Sequence, residues 1–141
     1  MMTYTDSAPI IRVLVVEDNE DDRALLLRQL RKSRIDSHVK FITDGKEALD
    51  FLLTLPPPRP FCDLITIFLD LKLPSMSGVE MLRRIRKIPR VQDIPVVVMT
   101  ASLDPKDFEE CQQLEVAAFI PKPVTFEAFS KAITSLTKLP A

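Results

Sequence analysis

The chain has 141 residues, of which 46% are hydrophobic and 28% charged, with a formal net charge of -1. That length suits one domain with its own core but not two ordinary ones, and the balance excludes disordered and fibrous classes. So small a net charge gives no bulk field to gather nucleic acid or an anionic membrane, so charged partners have to be recognised locally.

Met1 to Asp6 lack the basic start of a secretory leader, and Asp70 or a proline interrupts every apolar stretch before membrane-spanning length. The reading is a cytoplasmic protein with no membrane partner. Cys62 and Cys111 lie far apart with no CxxC and no histidine nearby, which makes them packed, reduced thiols and not site candidates.

Residues 1–9 read as an N-terminal extension. Ile10 to Val16 is short, β-branched and apolar throughout, as a strand covered on both faces must be. From about Asp21 to Arg34 the spacing predicts an amphipathic helix with Ala24, Leu27 and Leu30 on one face and Arg28 and Arg31 on another. Its acidic start, Glu20-Asp21-Asp22, is charge suited to a helix N-terminus. Ser37 to Ile42 alternates apolar and polar residues, which suits an edge strand with His38 on its polar side. A second helix runs from Asp44 to Leu55; Asp44 and Glu47 form a reciprocal cap, and the run Pro56-Pro57-Pro58-Arg59-Pro60 stops it.

Leu64 to Leu69 is another strand buried on both faces. Ser77-Gly78-Val79-Glu80 is an S-x-x-E capping box opening a helix that buries Val79, Leu82 and Ile85. The basic residues of that helix and just beyond it, Arg83, Arg84, Arg86, Lys87 and Arg90, read as a solvated face, since no helix-turn-helix or aromatic platform accompanies them. Ile94 to Met99 and Val116 to Ile120 are the remaining buried strands. Between them Asp104 followed by Pro105 marks a helix start, and a last helix from about Thr125 to Lys138 turns Ala128, Phe129, Ala132, Ile133 and Leu136 inward.

Strand and helix therefore alternate five times, which predicts an α/β domain over residues 10–138 with right-handed βαβ crossovers and a doubly wound sheet. The expectation is one undivided domain, with no linker and no separate output domain. Gly45 and Gly78 are the only glycines, so neither a G-x-G-x-x-G turn nor a Walker-type loop is available, and nucleotide-binding versions of this architecture are excluded.

Glu17 and Asp18 follow the first strand, Asp70 ends the third, Thr100 ends the fourth and Lys122 comes just after the fifth. In an open parallel sheet these ends share one edge, where such folds bind ligands. Singly, each is an ordinary solvated strand end; together they make a coherent set. Three crowded carboxylates repel one another unless a hard divalent cation sits between them, and Mg²⁺ is the natural occupant because it takes few carboxylates and is completed by phosphate oxygens. Lys122 as a point charge and the Thr100 hydroxyl as a donor suit the oxygens of a transferring phosphoryl group, and the small Ala101 leaves it room to enter.

Val15-Val16-Glu17-Asp18-Asn19, Leu69-Asp70-Leu71-Lys72-Leu73-Pro74 with Gly78 beyond, Pro95 to Ala101, and Phe119-Ile120-Pro121-Lys122-Pro123 resemble the four signature blocks of the response-regulator receiver family. The blocks occur in the family's order and at its spacing from about Ile10 to Leu136. The resemblance implies a flavodoxin-like five-stranded parallel sheet in the order 2-1-3-4-5 with five flanking helices. It implies that Asp70 accepts a phosphoryl group from a histidine kinase, and that Asp18, Asp70 and the backbone carbonyl of Lys72 hold Mg²⁺ with Glu17 assisting. Thr100 and Phe119 would move on activation, and Lys122-Pro123 resembles the family's cis peptide. The face made by the fourth helix, fifth strand and fifth helix would then change for a downstream protein or phosphotransfer protein.

Position 72 is Lys and position 102 is Ser, where the family tunes the lifetime of its aspartyl phosphate, and Phe119 replaces the commoner Tyr. The proline-rich loop at 56–60 is similar to that of small receivers paired with phytochrome-type kinases. Motif order argues against a haloacid-dehalogenase-like phosphohydrolase, whose nucleophile belongs to its first block with a second Asp two residues on. A pseudo-receiver that takes no phosphate has nothing in its favour, since all five site residues are present. A calcium loop from Asp18 fails at Arg23 and Gln29. No nucleic-acid partner is predicted, and a homodimer is left open.

Overall fold

In the computed structural model, residues 12–35, 38–55, 66–89, 91–101 and 104–137 are described. They form β1 (Val13–Val16), α1 (Glu20–Lys32), β2 (Val39–Ile42), α2 (Gly45–Leu53), β3 (Thr66–Asp70), α3 (Gly78–Ile85), β4 (Val96–Thr100), α4 (Pro105–Gln113), β5 (Ala118–Pro121) and α5 (Phe126–Thr137). The 1–9 extension, the proline run at 56–60, Cys62, Arg90, Ser102, Lys138 and the beginnings of the predicted strands at Ile10 and Leu64 lie outside the described residues.

All strand pairings are parallel, in the order β2-β1-β3-β4-β5. The three inner strands are buried at every position, whereas the edge strands are only half-buried: β2 as its alternating pattern requires, and β5 against the expectation that Val116 to Ile120 is buried on both faces, because it has a neighbouring strand on one side only. Alternate strand side chains feed two cores. Leu14, Val16, Ile67, Leu69, Val96 and Val98 pack with residues of α2, α3 and α4, while Val13, Val15, Phe68, Val97 and Met99 pack with residues of α1 and α5. In the second core the rings of Phe68 and Phe129 stack with centroids 5.9 Å apart.

The helices start where their caps lie. Asn19, Asp44, Ser77 and Asp104 each accept a backbone N–H of the following first turn, and Thr125 Oγ1 accepts that of Ala128. The Ser77 box is made from one side: its hydroxyl holds the Glu80 amide, but the Glu80 carboxylate turns to Arg83 and Arg84. Arg34 and Glu115 end α1 and α4 with φ of 60° and 58°, the left-handed cap usually given to glycine.

Three sequence expectations are corrected. The buried face of α1 consists of Leu26, Gln29 and Leu30, with Ala24 exposed and Leu27 only partly buried. His38 lies just before β2 at φ 65°, where its carbonyl accepts the amide of Arg12. The basic segment at the end of α3 is not uniformly solvated. Arg86 donates to the carbonyls of Leu114, Gln92, Ile94 and Glu115 at 2.8–3.1 Å, tying the end of α3 to the end of α4 and to the approach to β4. Arg83 pairs with Glu80 and Glu110, and Arg84 with Glu80.

Candidate functional site

The carboxyl ends of β1, β3, β4 and β5 bring the predicted residues to one edge. Glu17 and Asp18 directly follow β1, Asp70 and Thr100 are the last residues of β3 and β4, and Lys122 follows β5. This edge includes the point between β1 and β3 where the strand order reverses. Backbone bonds lock the strand ends: Lys122 N–H donates to Thr100 O at 2.9 Å and Glu17 N–H to Ile42 O at 3.0 Å. The Lys122-Pro123 peptide is cis, as the resemblance implies.

Lys122 Nζ lies 2.7 Å from Glu17 Oε1, 2.8 Å from Asp22 Oδ2 and 3.0 Å from Asp70 Oδ2. Asp70 is held at both oxygens, since Oδ1 accepts the Lys72 N–H at 3.0 Å. Glu17 Oε2 accepts the Asn19 N–H at 3.1 Å. Glu17, Asp70 and Thr100 are buried while Asp18 is exposed, so the acidic cluster opens to solvent on the Asp18 side.

Burial pushes the Glu17 carboxyl up to about 7; the bond from Lys122 opposes this, and the neighbouring Asp70 adds to it. Burial alone would lower Lys122, but Asp22, Glu17 and Asp70 together outweigh it and hold the amine above the ordinary lysine range, so it stays cationic. Glu17, Asp18 and Asp70 can each offer one oxygen within 4.8 Å of the others. A buried carboxylate that resists ionisation beside two others is the donor chemistry a hard divalent cation relieves, so the residues fit such an ion.

Thr100 is 1% exposed, and the exposed Ala101 follows it. Phe119 on β5 is half-buried with its ring edge-on to Phe108 of α4, centroids 5.2 Å apart. The side chain of Lys72 is exposed, and its amide is fixed on Asp70.

Sequence reasoning assigned no site role to four contributors, although Asn19 and Gly78 stand in the blocks that carry the resemblance. Asp22, read only as helix-terminal charge, reaches Lys122; Asn19 and Arg23 hold Glu17, the latter through Nη1 to the Glu17 carbonyl at 3.1 Å. Gly78 lets the start of α3 press against the main chain of Asp70 and Leu71, where a Cβ would collide. Asp22 is the third residue of α1, and no local spacing ties it to Lys122, 100 positions further along the chain.

The chain belongs to the response regulator receiver domain family, which residues 13–134 match. It is thus a phosphoacceptor switch of two-component signalling. Response regulator Rcp1 of Synechocystis sp. is 35% identical over 83% of this chain and 80% of its own length. The Mn²⁺-bound form of Rcp1 superposes with a TM-score of 0.72 at 31% identity, covering 93% of this chain and 99% of that one. The bacteriophytochrome response regulator AtBRR gives a TM-score of 0.75 at 39% identity over 94% and 97% of the two chains. The phosphorylated cyanobacterial phytochrome response regulator RcpA gives 0.70 at 29% over 91% and 89%. Among the described residues no helix is long and apolar enough to cross a membrane.

Proposed function

We propose that Asp70 is the phosphoacceptor, taking the phosphoryl group from a phosphohistidine of a cytoplasmic partner kinase of phytochrome type. The observation that carries this reading is the Asp70 carboxylate at the end of the central strand, 3.0 Å from Lys122 Nζ and within carboxylate reach of Glu17 and Asp18. Glu17, Asp18, Asp70 and the Lys72 carbonyl would hold Mg²⁺, which supplies positive charge to the phosphoryl oxygens. A carboxylate oxygen of Asp70 attacks phosphorus, and the bond from phosphorus to the donor nitrogen breaks as the new P–O bond forms. The Lys72 amide and Lys122 orient that carboxylate. Lys122 and the Thr100 hydroxyl then bind phosphoryl oxygens, work that consists mainly of positioning and charge neutralisation.

The chain catalyses only its own phosphorylation and dephosphorylation. Thr100 and Phe119 carry the change to α4, β5 and α5 for a downstream protein, because a phosphoryl group that binds one conformation better shifts the population towards it. Residues 10–138 act as this one receiver unit. Incubation with Mg²⁺ and acetyl phosphate should add one phosphoryl group per chain, read by intact mass, and Asp70→Asn should abolish it. Undiminished labelling of that variant would overturn the assignment.

A further inference from the structure

An ammonium has three protons to donate, and Lys122 Nζ faces three carboxylates, those of Glu17, Asp22 and Asp70. The three tethers differ in what happens to them during the reaction. Glu17 and Asp70 belong to the group of carboxylates able to meet on one cation; Asp22 does not. A cation draws on Glu17 and Asp70, and phosphorylation converts the Asp70 carboxylate into an acyl phosphate. Only the contact with Asp22 is left untouched by either event.

Asp22 is also fixed independently of the reacting groups. It sits in the first turn of α1, its own N–H donating to the capping Asn19 Oδ1 at 2.9 Å, and the next residue, Arg23, clasps the Glu17 carbonyl. The Lys122 main chain is held in turn by Thr100 O, so what the lysine can still do is swing its long stem. With one proton kept on Asp22, the ammonium still has two for a phosphoryl oxygen and for Asp70.

We propose that Asp22 is a positioning residue for phosphoryl transfer, holding the Lys122 ammonium over Asp70 when a divalent cation engages Glu17 and Asp70. The proposal rests on Asp70 being the acceptor and adds the residue that keeps its cationic partner in place.

The test compares wild type, Asp22→Ala and Asp22→Asn at saturating Mg²⁺. One readout is the rate of labelling by acetyl phosphate; the other, without phosphodonor, is the NMR order of the Lys122 Cε–Hε group. Asp22→Ala should label about tenfold more slowly, the scale of one charge-assisted hydrogen bond, with a mobile Lys122 side chain. Asp22→Asn, whose amide oxygen still accepts a hydrogen bond from the ammonium, should recover most of the rate and of the order. A Lys122 as ordered in Asp22→Ala as in wild type, unchanged labelling in that variant, or Asp22→Asn as slow and as mobile as Asp22→Ala would each overturn the proposal. Failure of the acceptor assignment shows separately, as labelling that survives Asp70→Asn while the Lys122 order still responds to Asp22.

Discussion

Replacing Gly78 by alanine probes how the chain holds its acceptor. Gly78 does not have a positive φ, so its role is one of space rather than backbone conformation. Its N–H donates to Leu71 O at 2.8 Å, and an added Cβ would run into Asp70 O and Leu71 Cα and lie 3.0 Å from the Asp70 carbonyl carbon. Those are main-chain atoms, so no side-chain rotation relieves the overlap, and either α3 backs away or the Asp70–Leu71 peptide shifts. Helix propensity pulls the other way, favouring alanine by up to about 1 kcal/mol and less at a first turn. Overpacking costs about 1–3 kcal/mol and a stretched Gly78–Leu71 bond about 1 kcal/mol. The net expectation is a loss of about 1–3 kcal/mol in urea unfolding, together with slower labelling from acetyl phosphate, because the displaced atoms belong to Asp70. Unchanged or raised stability would refute the steric reasoning. Lost stability with undiminished labelling would refute the claim that this contact aims the acceptor.

Two further outcomes follow from the electrostatics and the hydrogen bonds. The Glu17 carboxyl, raised from 4.5 to about 7 mainly by burial, favours the metal-free folded state below its unfolded value and loses that contribution as pH rises through 7. At about 1.4 kcal/mol per pH unit the loss is about 3 kcal/mol, so Glu17→Gln should flatten the decline in chelator-treated protein between pH 4.5 and 8; an unchanged slope in urea midpoints would contradict it. Arg86→Met keeps the aliphatic stem but strips donors from four carbonyls, and should lower stability by about 2–3 kcal/mol. A denaturation midpoint equal to wild type would show that these bonds are replaced by water without loss.

What could be read from the sequence is what depends on short-range pattern. Continuous β-branched runs exist because β1, β3 and β4 are covered on both faces, and Asp70 stood out because a carboxylate ends such a run. The face of α1 was misread because Ala24-Leu25-Leu26-Leu27 is apolar all along and spacing cannot choose among four neighbours. Tertiary contacts choose: Arg23 reaches back to Glu17 and Asp22 to Lys122, and with those two turned to the sheet edge, Leu26 and Leu30 rotate into the core. Arg86 looked like its exposed neighbours because its acceptors are carbonyls, two of them on the distant end of α4 and two on the approach to β4, and carbonyls leave no mark on side-chain composition. The Asp22–Lys122 contact joins residues 100 positions apart, far beyond any helical or strand period.

The same distinction explains why net charge was uninformative about a chain whose function is electrostatic. The formal charge of -1 over the whole molecule hides an edge where Glu17, Asp18, Asp22 and Asp70 face Lys122 and Arg23, four negative groups against two positive when all are ionised. Converting Asp70 to an acyl phosphate raises that local excess from two negative charges to about three, since a phosphoryl group carries close to two. In a half-buried site such an excess opposes the product, and the protein has no third cation among these groups to offset it. A bound divalent ion would bring the excess back to about one. Phosphorylation should therefore depend on the ion for a thermodynamic reason, the stability of the acyl phosphate, as well as for rate. It follows that chelation after labelling should destabilise the phosphorylated state relative to the unmodified one, which a urea midpoint measured on both forms with and without Mg²⁺ would reveal.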